Sequence, residues 1–559
     1  MPDTWSLSLP ERLYRRSALF EWRIRPKTRS LPLHWQPADI WRGDATIGQV
    51  LSSGLHPVEQ IGPAWHRFNW LRDMREFGGS QCRTLTRRLV LDWIKRDGRW
   101  RKDIWHPTLM GSRIKSWIFT WGWFAASASE SQQQTMLMSL ATQLACLRRD
   151  WHRIPNEDHQ LYALSALILG ILFLHEDEDI TPLAARYIDL LHQQLLGDGC
   201  HGSRQPDNHF AHLKALIDVR TAMAGQISLM GDEDDSASLS SARNCLEAID
   251  DTILRMGAIG RMWRHADGTL MNILGSLDIS LDEVEQILQR AVPSGKVTHN
   301  ASDSGFVRLT SGRSVLLMNT GIPPWALSTS VDTGSHNDAG ALAIEFSNNQ
   351  QRIFINAGQS RGLYQNRPEL ATALAGTAAH STLTLDKTNS GDITNSSETA
   401  RRAMAQDVEM GPAPGGLLAE ASHNGYDTTH GILHRRRIFL ATGGSDLRGE
   451  DTLVYTGSPR AIPTEAVIRF HLHPRISASL SIGGDALIRL PGSSASWIFK
   501  LSGARLNIEE SIMLERGGIQ KTHQITATLP LNDIRSVSTK VVKWALRRQT
   551  SRRKTSDEA

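Results

Sequence analysis

The sequence predicts an α+β chain of more than one domain, helical first and antiparallel β afterwards. Three observations predict it. From about residue 65 to 288 apolar residues recur at helical spacing, as in TLTRRLVLDWIKRDG, QQTMLMSLATQLACLRRDW and TPLAARYIDLLHQQLLG. After residue 297 the pattern turns to short alternating runs split by Gly, Asn and Ser, as in SGFVRLTSGRSVLLMNTG and HRRRIFLATGGSDLRGEDTLVY. The third is length: 559 residues exceed what a single core organises.

Taken in order, residues 1–60 read as an N-terminal extension packed on the helical domain of 61–296. The start, MPDTWSLSLPERLYRRSALFEW, carries charges where a signal peptide needs an apolar stretch, so a cytoplasmic location is expected. A mis-assigned start codon would leave room for export to the periplasm or cell envelope. The longest apolar run, ALSALILGILFLH from Ala163, is too short to span a bilayer and suits a buried helix; no transmembrane segment is expected. Fourteen of the seventeen tryptophans precede residue 300, as helix-packing residues or as a stacking surface for sugar rings. The junction falls in AVPSGKVTHNAS, residues 291–302, and the β domain is expected over 297–545, with a basic solvated tail over 546–559.

The net charge of +4 is small against 120 charged residues and gives no reason to expect nucleic acid. Cys82, Cys146, Cys200 and Cys245 are scattered without metal spacing and read as reduced thiols.

Within the β domain, SHNDAGALAIEFSNNQQRIFINAG (335–358) reads as a hairpin turning at 348–351. His336, Asn337 and Asp338 stand before its first strand. Polar, titratable groups at the mouth of an apolar strand are costly unless exposed or used, which points to a site.

Eight segments then carry a family resemblance. They are FNWLRDMREFGG, GSRQPDNHFAHLKALIDVR, SHNDAGALAIEF, RIFINAG, AAHSTLTLD, HNGYDTTHGILHRRRIFL, LRGEDTL and IRFHLHP, in that order across both domains. With them the chain resembles the heparinase II/III-like polysaccharide lyases, which join an incomplete α/α toroid to an antiparallel β-sandwich. The resemblance implies β-elimination at a uronic acid: donors neutralise the carboxylate, a base removes the C5 proton and an acid protonates the leaving oxygen.

On that resemblance, Asn208 and His209 stand at the carboxylate-neutralising pair, although D-N before an apolar run also caps a helix. His336 matches the catalytic histidine and Tyr364 a second tyrosine of the cleft. Arg204, His212, His265 and Tyr426 are substrate-binding candidates. Two departures stand out. The family metal, usually zinc on His, Asp and His, would fall on Asp338, Asn356 and His380, and a neutral amide is a poor zinc ligand. Either the metal is lost and these residues form a hydrogen-bonded cluster, or a different ion binds; no tightly held zinc and no other cofactor are expected. The toroid tyrosine is also missing, because no tyrosine lies between Tyr187 and Tyr364; His265, Asp267 and Asn272 occupy that region. Of two further motifs, HLH with His471 and His473 reads as structural, and the basic HRRR of 434–437 could face a polyanion, although strand alternation splits it between two faces so that its count overstates any patch.

The expected function is a lyase-like protein acting on an acidic polysaccharide or oligosaccharide. The alternative is an altered relative that binds an anionic glycan or envelope polymer without cleaving it.

Overall fold

A computed structural model describes residues 5, 7–28, 30–54, 62–174, 178–230, 237–273, 275–321, 338–360, 363, 366–393, 401–457, 462–492 and 495–549. The chain divides into two compact units, one of residues 1–193 with 211–254, the other of 194–210 with 255–559.

The first unit is helical. Its central helix, Glu157–Leu174, is the apolar run singled out in the sequence, and every residue from 163 to 174 is buried. Helix Glu130–Asp150 begins with a capping box, Ser129 and Gln132 each satisfying the other's backbone N–H. The tryptophans of this unit are mostly core. Trp93 and Trp117 close edge-on around Phe68, and Trp65 stacks on Trp70 with centroids 4.6 Å apart. Side chains this deeply packed offer no stacking surface to a sugar.

The second unit carries β1 (Asn300–Ala301), β2 (Phe306–Ser311), β3 (Ser314–Asn319), β4 (Ile344–Asn348), β5 (Gln351–Ile355), β6 (Leu383–Leu385), β7 (Ala405–Ala413), β8 (Gly416–Tyr426) and β9 (Ile432–Ala441). It continues with β10 (Asp446–Tyr455), β11 (Glu465–Leu472), β12 (Ser477–Leu480), β13 (Ala486–Arg489), β14 (Ser496–Ser502), β15 (Arg505–Glu515), β16 (Gly518–Pro530) and β17 (Thr539–Gln549). One sheet runs β1-β2-β3-β4-β5-β11-β16-β15 with β6 on β11; the other runs β12-β13-β14-β17-β10-β9-β8-β7. Paired strands are antiparallel and the two sheets share one apolar core. Phe470 meets Trp544 and Phe499 with centroids 4.9 Å apart, joining the sheets at the centre. Each such side chain contributes roughly 2–3 kcal/mol by leaving water.

Two boundaries differ from expectation. The β unit also takes in 194–210 and 255–296, because turns there bind the first sheet: Arg308 on β2 donates to the carbonyls of Met262 (2.9 Å) and Arg264 (2.6 Å). At the other end β17 pairs with β10 and β14 as far as Gln549, so Arg547 and Arg548 are strand residues and not part of a tail.

Candidate functional site

The predicted hairpin forms as read. β4 and β5 pair with Asn348 opposite Gln351, and Asn349 takes the left-handed conformation (φ 53°) in the turn. A bulge between Phe346 and Ser347 re-aims the pair, and Glu345 points into the protein with no exposed surface.

Glu345 is the hub of this region. Its Oε2 accepts from His265 Nε2 (2.9 Å) and Arg352 Nη2 (2.7 Å). Its Oε1 accepts from the backbone N–H of Asn272 (2.9 Å) and of Asn356 (3.1 Å) and from Asn356 Nδ2 (3.0 Å). Burial alone would raise this carboxyl, but Arg352, His265 and the backbone donors hold it down at about 2. His265 completes its pairing with Ser347 Oγ at 2.9 Å, and burial pushes its pKa below the ordinary value. Asn272 Nδ2 donates to the Asn356 carbonyl at 3.0 Å.

Beside the hub lies a second polar corner. His380 Nδ1 donates to the Gly376 carbonyl at 2.9 Å, and its Nε2 lies 2.9 Å from Asp338 Oδ1. Burial would lower the His380 pKa; Asp338 and the Gly376 carbonyl outweigh it and hold the imidazole above its ordinary value. A Cβ on Gly340 would sit 2.8 Å from His380 Cδ2 and 2.9 Å from Asp338 Oδ1, so the pair needs glycine there. Asn319 donates to the Gly340 carbonyl (3.1 Å) and accepts from Arg204 Nη2 (2.6 Å).

These residues do not suit the family metal. Asn356 is spent: its Nδ2 serves Glu345 and its Oδ1 accepts from the Ser381 N–H at 2.9 Å. Asp338 and His380 remain as two donors, too few among the described residues for a closed zinc site.

The other expected residues are distributed as follows. Asn208 is half-buried, its Nδ2 donating to Ser203 Oγ at 3.3 Å. His209 is fully buried, its Nε2 donating to the Met256 carbonyl (2.8 Å) and its Nδ1 accepting from the His201 N–H (3.3 Å). Both ring edges serve the backbone, which removes His209 from contact with a polymer. His212 is equally buried, stacked on Tyr162 with Nε2 3.1 Å from Asp158 Oδ1, and it belongs to the other compact unit. Arg204 adopts a left-handed backbone (φ 57°), lies over Phe306 and donates Nε to the Ser304 carbonyl at 2.6 Å, a structural placement. His265, the third substrate-binding candidate, is buried and committed to Glu345. Tyr426 is a core residue whose hydroxyl donates to the Leu383 carbonyl at 2.7 Å, linking β8 to β6. Tyr426→Phe is expected to destabilise by about 1 kcal/mol in urea unfolding. His336 and Tyr364 lie outside the described residues.

The structural motifs are placed as read. His471 is buried, donating to the Ala378 carbonyl at 3.0 Å, and burial drives its pKa to about 3. In 434–437, His434 and Arg436 point inward while Arg435 and Arg437 point out, both onto Glu420. Glu345 itself was missed as a centre. Its signal was a carboxylate in ALAIEF, where an unpaired charge in an apolar strand could not be tolerated.

Residues 293–545 match the family described as Heparinase II/III-like, C-terminal. FtsZ-localized protein C of Caulobacter vibrioides (strain NA1000 / CB15N) is 24% identical over 490 residues, 84% of this chain and 79% of that protein. Among solved structures, Heparinase III superposes with a TM-score of 0.65 at 12% identity, covering 96% of this chain and 90% of its own. The heparan sulfate lyase HepC from Pedobacter heparinus superposes with a TM-score of 0.57 at 14% identity, covering 87% and 76%. The fold is thus the toroid and β-sandwich of the heparinase structures.

Proposed function

We propose, for a chain whose residues 293–545 are a heparinase II/III-like C-terminal domain, that it binds an anionic glycan without eliminating it and without a tightly held zinc. The observation that carries this reading is the commitment of the chemical groups. His265, which stands where the family's tyrosine is expected, and Asn356, at a metal position, bind the buried Glu345 carboxylate with their side chains, while Asn272 gives it a backbone N–H and spends its amide on the Asn356 carbonyl. His209 is closed off by backbone on both ring edges. Groups already satisfied inside the protein cannot also neutralise a uronate or move its C5 proton. Asn208 and Asp338 keep only part of their surface exposed. The Asn208 amide can still offer a hydrogen bond to a glycan carboxylate, and the heparinase fold supports a glycan as the ligand.

The test incubates the purified protein with heparan sulfate, hyaluronan, alginate and polygalacturonate. Saturable binding of at least one, weakened about tenfold by Asn208→Ala, is expected, with no rise in ultraviolet absorbance from a conjugated double bond. A rise in absorbance would refute the binding-only reading, and binding to none would refute the glycan.

A second reading rests on the 490-residue likeness to an FtsZ-localized protein. On it this chain associates with FtsZ polymers, and co-sedimentation with GTP-assembled FtsZ tests it directly.

A further inference from the structure

Helices Leu9–Arg15 and Ala18–Ile24 expose apolar side chains that a water-facing surface does not require. Leu9 and Leu13, one turn apart, are 69% and 61% exposed; Leu19 and Trp22, also one turn apart, are 60% and 68% exposed. These are the largest exposures of Leu or Trp among the described residues. The helices are not loose. Ser8 and Ser17 cap them, and Phe20 and Ile24 are buried on their inner side. Arg15 enters the core and binds Asp150 through both oxygens, at 2.6 and 2.7 Å, beneath Trp5, Phe20 and Trp100. The exposed face is therefore held in place.

Charge supplies the second observation. Residues 9–30 contain Arg12, Arg15, Arg16, Arg23, Arg25, Lys27 and Arg29 against Glu11 and Glu21. Of these, Arg16, Arg23, Arg25 and Lys27 are exposed next to the apolar side chains. A groove of about 860 Å³ runs along the second helix, and Arg16, Arg25, Lys95 and Arg99 stand on it with Glu21 as the single acidic residue of its lining. Leu and Trp interleaved with cations, on a short fixed helix pair, is the chemistry of a surface that lies in a lipid interface: rings and Leu enter the acyl boundary while guanidinium groups meet phosphate.

We infer that this helix pair docks the protein on an anionic phospholipid bilayer. The side chains of Leu9, Leu13, Leu19 and Trp22 enter the interface, and the flanking arginines with the cationic groove take the headgroup phosphates. This goes beyond the glycan reading and does not depend on it.

The full-length protein is floated with phosphatidylglycerol–phosphatidylcholine vesicles and, separately, with phosphatidylcholine alone. The expected result is flotation with the anionic vesicles, weakening with salt and reduced more than tenfold by the triple substitution Leu13→Glu, Leu19→Glu, Trp22→Glu. Arg23→Gln with Arg25→Gln, which leaves the apolar face intact, is expected to lower the affinity about fivefold per cation. A thermal melt matching the unsubstituted protein shows that the variants fold. No flotation, equal flotation with neutral vesicles, or flotation unchanged by the triple substitution would overturn the inference. So would a lipid-free dimer in light scattering that the triple substitution abolishes, since a second copy would then cover this face.

Discussion

Glu345→Gln is expected to destabilise the protein by about 3–5 kcal/mol, measured by urea unfolding followed through tryptophan emission. The substitution keeps the shape and removes the charge. Arg352 is then left buried beside a neutral amide, and His265 loses the acceptor that fixes its Nε2 proton. One Gln oxygen is replaced by an NH2 that meets donors, so the hydrogen bonds of the hub cannot all be remade. A loss under about 1 kcal/mol would show that the hub is incidental. The pH dependence has a definite sign. The folded carboxyl sits near 2, below its ordinary 4.5, so the stability it contributes is present above 4.5 and is lost as the pH falls toward 2.

Asp451→Asn is expected to cost a comparable amount, about 3–5 kcal/mol, by opening the seam between the two sheets. Asp451 Oδ1 accepts from His434 Nε2 and Arg436 Nε, both at 2.7 Å, and Oδ2 accepts from Trp544 Nε1 at 3.0 Å. Arg436 Nη1 goes on to the carbonyls of Leu342 (2.7 Å) and Ser381 (2.8 Å), which fastens β9 to the region of the opposite sheet that carries His380. Behind His434, its Nδ1 accepts from His423 Nε2 at 3.2 Å, and His423 Nδ1 accepts from the Gly425 N–H at 3.1 Å. Every ring nitrogen is satisfied with both imidazoles neutral. A further proton on His423 would face an N–H, and burial together with the neighbouring His434 and Arg436 holds its pKa well below 6.5. The unfolded chain takes up protons that the folded one refuses, so these histidines erode stability as the pH falls below 6.5. Acid unfolding of the wild type is expected to begin there, ahead of the carboxylates, and Asp451→Asn to shift its midpoint to higher pH.

Period and punctuation made the fold legible. The 3.6-residue recurrence up to residue 288 and the Gly/Asn-broken alternation after 297 correspond to helices and antiparallel sheets, and the hairpin at 344–355 was readable from its Asn-rich turn. The boundary was less legible, because the turns around 194–205 and 263–273 adjoin helices in sequence while Arg204 and Arg308 bind them to the β1–β2 turn and to β2, about 100 and 45 residues away. Side-chain direction was the larger gap. Asn208 and His209 are adjacent in sequence, yet one faces partly outward and the other packs against Trp263 and the Met256 carbonyl. A motif position cannot distinguish these. Nor could the sequence show that Glu345 gathers Asn272 and Asn356, 73 residues before it and 11 after, since that depends on the bulge after Phe346.

The sandwich carries a buried polar hub on Glu345 at the positions where the resemblance marks an altered metal triad and a missing tyrosine, and we propose that no elimination takes place there. The most direct test of that claim is the ultraviolet absorbance of uronic-acid polymers incubated with the full-length protein. No rise with any polymer, while at least one binds saturably, is the predicted result. A rise that Glu345→Ala or Asn208→Ala abolishes in a folded protein would contradict it and place elimination chemistry at this site.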